Sequence, residues 1–284
     1  MTNLIRYLKI NFIVVICILL SVLNIFFLNT NVARVIFLDV GQGDAALIQF
    51  GDFDILIDGG PGPHLESKLK SYMNFDNHKI ELVILTHPHL DHMGGLFNVI
   101  DKYFVPTIWI NEVCYESEYY RSFLEKYRNL IVQVVMGTSA SIENVFRLSV
   151  LYPFESEVID KSCPKGYGKY ESFDRNVNND SIVVRLEASQ KTFLFMGDAE
   201  IGLERRLLNA EVLYNVDILK AGHHCSKTSS SQRFLDIVNP QIAICSCGEN
   251  NKYGHPSKDV LGRMKEMKIN YFVTYESSDV VIQL

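Results

Sequence analysis

The sequence predicts a layered α/β fold, and three observations carry that expectation. Thirteen short aliphatic segments of strand character alternate with amphipathic helical stretches, a pattern of packed sheets and helices rather than of a bundle. Two stretches, DAALIQFGDFDILIDGG (residues 44–60) and DSIVVRLEASQKTFLFMGDA (residues 180–199), share one plan. In each, Asp and a small residue open an aliphatic strand, a polar turn follows, and a second aliphatic strand ends in Asp. The echo predicts two similar halves facing each other, with Asp58 and Asp198 at equivalent strand ends. No Pro/Gly linker follows Asn31, so residues 32–284 are expected to form a single catalytic domain.

Residues 1–31 read differently. Arg6 and Lys9 precede a nearly uninterrupted apolar run from Phe12 to Leu28, which as a helix would span roughly 26 Å, near the lower limit for crossing a bilayer. No small-x-small cleavage site follows, so an uncleaved anchor is expected, with a cleaved signal peptide as the alternative. Basic residues stay on the cytoplasmic side, which places the remainder outside the cell, in a single-pass arrangement.

From Ala33 onward, ARVIFLDV, DAALIQF, FDILID, ELVILT, TIWI and LIVQVV read as strands. They are followed by FRLSVLY, SIVVRLE, KTFLFMG, VDILK, QIAICS, NYFVTY and DVVIQL. HLESKLKSYM, YYRSFLEKYR, AEIGLERRLL, SQRFLDIV and KDVLGRMKEM carry the helical period. The polar interruption at residues 155–179 reads as a long loop over the site. DVGQGD is expected to be a tight turn that brings Asp39 and Asp44 near the site. Composition adds exclusions: 48% hydrophobic and 21% charged residues rule out collagenous or disordered chains. A net charge of −6 argues against a general nucleic-acid binder. Among six cysteines there is no CxxC pair, so neither a zinc knuckle nor a redox dithiol is signalled. Cys245 and Cys247, alternating on a strand, are expected to pack as small apolar side chains.

The chemistry concentrates in ELVILTHPHLDHMGG, residues 81–95. Imidazoles and carboxylates are costly to bury, so His87, His89, Asp91 and His92 at a strand end need a reason. In an extended stretch His87 and His89 point the same way and can converge on one ion; Asp91 and His92, at the following turn, can face a second. The Gly94–Gly95 pair is expected to let the backbone turn sharply into the next helix. FLFMGDAE and VDILKAGHHCSKTSSS end two further aliphatic strands at Asp198 and at His223–His224. Alone, Asp198 is as well read as a helix N-cap and the histidines as surface residues. Together with HxHxDH they form a set, with imidazoles for two metals and a carboxylate able to bridge them. Asp58 is expected to orient a ligand imidazole or bound water.

The arrangement resembles the metallo-β-lactamase fold superfamily, whose signature is HxHxDH followed by a bridging Asp and a late His at strand ends. FLDVGQGDAALIQ, LIDGG, THPHLDHMGGL, NNDSIVVRLE, FLFMGDAE, LKAGHHCSKTSSS and NKYGHPS are similar, in order, to the C-terminal hydrolase domain of ComEC-type competence proteins, over essentially residues 35–284. That family's polytopic channel is missing, so the chain looks like a stand-alone, membrane-anchored relative. The resemblance implies a four-layer αββα sandwich of two mixed β-sheets flanked by helices, preceded here by one N-terminal hydrophobic helix. It implies two divalent ions: His87 and His89 hold one, Asp91 and His92 the other, and Asp198 bridges. Of the histidine pair, His224 is expected as ligand and His223 as a contact to the substrate oxyanion. Asp91 and His255 are further catalytic candidates, with His255 a proton donor or phosphate contact. Asp44, Asn179 and Ser226 are candidates for supporting or substrate-binding roles.

Two departures stand out. No histidine lies between His92 and Asp198, and Asn178–Asn179 stand where a third one is expected. Cys225 replaces the usual glycine after the paired histidines; its thiol could ligate a metal, be oxidised or fill space. Fewer imidazoles shift preference from zinc towards manganese, and both stay open. The resemblance implies a metal-dependent phosphodiesterase or nuclease with DNA as first candidate substrate, and no protein partner is inferable. A cell-surface phosphoesterase for phosphocholine or teichoic-acid units keeps the same chemistry. A non-catalytic binding module is the third alternative. A β-lactamase is disfavoured by the GHH and YGHPS segments.

Overall fold

The computed structural model describes residues 32–158 and 176–284. The expected N-terminal helix and the centre of the 155–179 loop therefore lie outside the described residues. Fourteen strands are present among them: β1 (Ala33–Phe37), β2 (Ala46–Phe50), β3 (Phe53–Ile57), β4 (Leu82–Leu85), β5 (Ile108–Ile110), β6 (Ile131–Gln133) and β7 (Ser139–Ile142) come first. β8 (Phe146–Tyr152), β9 (Val183–Ala188), β10 (Lys191–Phe195), β11 (Ile218–Lys220), β12 (Ile242–Cys245), β13 (Asn270–Val273) and β14 (Val280–Gln283) follow. The helices are α1 (His64–Tyr72), α2 (Leu90–Met93), α3 (Leu96–Lys102), α4 (Glu118–Tyr127), α5 (Glu155–Val158), α6 (Ile201–Asn209), α7 (Gln232–Val238), α8 (Lys258–Glu266) and α9 (Thr274–Ser277).

The strands form two seven-stranded mixed sheets, in the orders β14-β1-β2-β3-β4-β5-β6 and β7-β8-β9-β10-β11-β12-β13. Their pairing senses also match. In each sheet the first three contacts are antiparallel and the last three parallel. The echo in the sequence is thus a structural repeat, with β2–β3 and β9–β10 as equivalent hairpins. The two carboxylates are offset, however. Asp58 directly follows β3, whereas Asp198 stands three residues beyond β10.

Three apolar clusters define four layers. One fills the space between the sheets, with Phe37, Phe193 and Phe195 at its centre. Another lies between the first sheet and α1, α3 and α4, and the third between the second sheet and α6, α7 and α8. Sheets covered on both faces need strands apolar on both faces, which is why β4 and β5 read as continuous apolar runs. β7 differs. It is a largely exposed edge strand of sequence SASI, without the aliphatic pattern of the others.

The strand-end loops are stitched to one another. The Asp91 carbonyl accepts from Asp44 N–H, the His92 carbonyl from Gly59 N–H and the Asp44 carbonyl from Gly60 N–H. Gly94 and Gly95 have ordinary helical angles, so the expected sharp turn is not what requires them. Proximity is: a Cβ at Gly95 would lie 2.1 Å from the Gly59 carbonyl oxygen. Gly95→Ala should therefore cost about 1–3 kcal/mol of stability. Gly262→Ala, in open space within α8, should gain up to about 1 kcal/mol. Thermal denaturation of the two variants checks the contrast.

Candidate metal centre

The carboxyl ends of β3, β4, β10 and β11 bring together side chains distant in sequence. His87 and His89 follow β4, and the Nε2 of one lies 3.1 Å from the Nδ1 of the other. His92 opens towards Asp198, with Nε2 3.2 Å from Oδ1. His224 Nε2 lies 3.4 Å from Asp198 Oδ2 and 3.3 Å from Asp91 Oδ2. His87 Nε2 stands 3.7 Å from Asp198 Oδ2. Two groups of metal-ligand type result: His87, His89 and Asp198 in one, and Asp44, His92, Asp198 and His224 in the other. Asp198 belongs to both.

Supporting groups turn each ring. Thr86 donates from N–H and Oγ1–H to the two oxygens of Asp58, which accepts from His92 Nδ1 at 2.8 Å. His224 Nδ1 faces the Ser246 carbonyl at 2.9 Å and Asp44 Oδ1 at 3.1 Å. The other oxygen of Asp44 is 2.5 Å from the buried Lys220 ammonium. Asp44 is thus engaged by its neighbours and orients His224 rather than facing the centre. In both cases the backward nitrogen faces an oxygen acceptor, so Nε2 is the nitrogen that would be freed for a metal ion.

The electrostatics favour cations. Burial works against charge on His92 and His224, yet Asp198, with Asp58 or Asp44, lifts both well above the ordinary imidazole value. Burial likewise opposes ionisation of Asp198, but the same two imidazoles hold it well below the carboxylate range. His87 is lowered well below its usual value, by burial and then by His92. Asp91, raised by burial but lowered further by His224 and His92, sits at about 2. Among the described residues, the buried His92 Nε2, His224 Nε2 and Asp198 Oδ1 make no hydrogen bond of good geometry, although each ring nitrogen stands 3.2–3.4 Å from an Asp198 oxygen. Buried imidazole and carboxylate atoms that converge without well-formed hydrogen bonds fit divalent ions, which would satisfy all of them at once.

The flanking loop is strained. His223, His224 and Cys225 take φ of 45°, 54° and 59°, three consecutive left-handed residues without a glycine. Cys225 is disulfide-bonded to Cys245 of β12, so oxidation is the outcome for that thiol, and Cys245 does more than pack. Cys114 is disulfide-bonded as well. His223 Nδ1 lies 3.1 Å from Glu200 Oε1 and its Nε2 3.8 Å from Asp198 Oδ2. Glu200 also accepts from Thr228 Oγ1–H. It was not among the residues expected from sequence; it follows the Gly197–Asp198 turn at the start of α6, and no local pattern marks it.

Other expected residues are placed differently. Asn179 does not face the cavity; its amide oxygen accepts from Glu200 and Leu203 N–H and caps α6, the role otherwise open to Asp198. Asn178 lines the cavity instead. Ser226 is buried against Thr228 and does not line the cavity, and Asp39 accepts from Gly41 N–H away from the cluster. His255 does line it, with its ring 5.4 Å from that of His223. Among the described residues its Nδ1 has no hydrogen-bond partner, and burial, followed by His224 and His223, lowers it to about 4. Tyr115 and Tyr253 flank the cavity, whose volume is about 340 Å³.

Two seven-stranded sheets between helices, with an imidazole–carboxylate cage at the strand ends, define a metallo-β-lactamase sandwich. The chain belongs to the metallo-beta-lactamase superfamily, whose family model matches residues 38–249. Its members are generally metal-dependent hydrolases. It is 25% identical to ComE operon protein 3 of Bacillus subtilis, over 93% of this chain and 34% of the relative. It is 29% identical to Recombination protein 2 of Haemophilus influenzae, over 81% of this chain and 26% of the relative. The chain thus spans about a third or less of these relatives. The solved metallo-beta-lactamase fold protein YhfI of Bacillus subtilis shares the fold at a TM-score of 0.53 and 12% identity, covering 89% of this chain and all of that one.

His224→Ala and Asp198→Asn should lose bound divalent metal, and Asp58→Ala should weaken its binding by about 10–100-fold, as measured by elemental analysis and titration. Because His92 and His224 are raised, protons compete with metal beyond the ordinary imidazole range, so affinity should rise as pH increases through 7 and binding should release protons. Titration calorimetry in buffers of different ionisation enthalpy counts them. Replacing Cys225 and Cys245 together by Ser should loosen the strained loop and weaken metal retention while far-ultraviolet circular dichroism keeps its native form.

Proposed function

We propose that the chain is a metal-dependent phosphodiesterase using two divalent ions, zinc or manganese. In this reading residues 1–31 hold it at the outer face of the membrane, and DNA is the first substrate to test. The observation that carries the hydrolase reading is the convergence of buried His92, His224 and Asp198 atoms, without well-formed hydrogen bonds among the described residues, beside His87 and His89. His87, His89 and Asp198 would hold one ion, and Asp91, His92, Asp198 and His224 the other. When bound, such ions supply a water of lowered pKa and Lewis-acid polarisation of phosphoryl oxygens.

The chain's own residues do the rest. Asp58 and Asp44 fix the tautomers of His92 and His224, so that neither ring must reorient during the reaction. Glu200 and Thr228 anchor His223 at Nδ1 and leave Nε2 towards the cavity, where it can contact a substrate oxygen. His255, neutral at pH 7, offers its unpaired Nδ1 to the same space. Tyr253 is largely exposed beside His255, with the Lys252 ammonium over its ring. Such a platform suits stacking of a nucleobase next to a backbone phosphate, and relatives named for competence and recombination support nucleic acid as the substrate class.

Full-length protein supplied with manganese or zinc should hydrolyse bis-p-nitrophenyl phosphate and single-stranded DNA, and a chelator should stop both. Asp198→Asn and His87→Ala should abolish turnover. Tyr253→Ala should raise KM for single-stranded DNA by about ten-fold, with kcat little changed. Near-normal turnover by either ligand variant contradicts the hydrolase reading.

A further inference from the structure

The chain enters the fold at the end opposite the metal cluster. β1 is antiparallel to β2, which is antiparallel to β3, so residue 32 lies where β3 and its parallel neighbours begin, whereas the cluster lies where they finish. The Val32 carbonyl accepts from the N–H of Gly51, in the β2–β3 turn. Apolar side chains gather around that turn. Phe50 and Phe53 flank it and pack on Phe146, with ring centroids 4.5 and 5.5 Å away. Next to Phe146, the β7–β8 turn exposes Ile142 and Val145. On the other side, Asp52 accepts from Asn74 Nδ2 and holds a loop whose Phe75 is 99% exposed. Phe104, 65% exposed, donates its N–H to the His78 carbonyl of the same loop. Several exposed large apolar side chains at one end of a domain, on either side of a single turn, point to an interaction surface.

The sequence says what covers it. The apolar run Phe12–Leu28 ends only three residues before the described chain begins. Even fully extended, that connection spans no more than about 14 Å. We infer that this end of the domain rests on the lipid bilayer that receives the run, with Phe75, Phe104 and Val145 in the interface and the metal cluster facing away from the membrane. The inference rests on the membrane placement proposed above and is independent of the hydrolytic reading, since its test needs no turnover.

Trp109 is the one tryptophan of the chain, so Trp109→Phe gives a background into which Phe75→Trp, Phe104→Trp, Val145→Trp or Tyr119→Trp introduces a single probe. Tyr119 is exposed near the start of α4, at the cavity end. Each full-length variant is reconstituted in phosphatidylglycerol and phosphatidylethanolamine vesicles with or without brominated acyl chains. Brominated chains should quench the probes at 75, 104 and 145 by about half and leave 119 unchanged, as expected for side chains reaching the headgroup–acyl boundary. With three probes at the apolar end, no single misfolded variant decides the result. Quenching at 119 equal to that at 75 overturns the orientation while keeping the membrane placement. A chain that does not float with the vesicles, or floats with all probes unquenched, overturns the inference outright.

Discussion

A single buried carboxylate organises this molecule. Asp198 is 1% exposed and reaches towards imidazoles delivered from both sheets: His87 and His92 from the first, His224 from the second. A carboxylate so enclosed is tolerable only with positive charge around it. The elevated His92 and His224 supply that charge as protons, and divalent cations would supply it more fully. The surrounding constraints follow from holding these groups together. The left-handed His223–Cys225 loop aims one ring inward, the disulfide ties that loop to β12, and Gly95 lets the HxHxDH turn press against the Gly59 carbonyl.

The repeat explains how one chain delivers ligands from two directions. Each half presents the carboxyl ends of parallel strands at the same edge of the sandwich, where loops are free to carry chemistry without disturbing the core. The halves are alike in strand order and pairing sense but not in use. The first supplies three imidazoles from one turn. The second supplies the shared carboxylate after β10 and both histidines after β11. β14, last in the chain, completes the first sheet beside β1 and closes the repeat across the sequence.

Much of this was legible in the sequence, for physical reasons. Aliphatic runs marked every strand except β7, whose SASI lacks the pattern because an exposed edge does not need it. HxHxDH, Asp198 and His224 stood out because imidazoles and carboxylates at the ends of greasy strands serve a core poorly and a cation well. Asp58 was legible as the partner of an imidazole. The side chains of Asn178 and Asn179 could not be told apart, since a one-residue step in a helical turn decides which faces the cavity. Lys220 ended a strand in plain view, but its pairing with Asp44 is a contact across 176 positions that no local pattern encodes. The Cys225–Cys245 bond is likewise set by where β12 lies, not by spacing.

In the function proposed above, Asp198 stands between two cations. A crystal structure of the metal-loaded protein, with anomalous difference density measured at the metal's absorption edge, tests it most directly. The account predicts two peaks inside the imidazole cage, one beside His87 and His89 and one beside His92 and His224, with a carboxylate oxygen of Asp198 bonded to each. Density elsewhere on the protein, or an Asp198 turned away from an occupied cage, contradicts it.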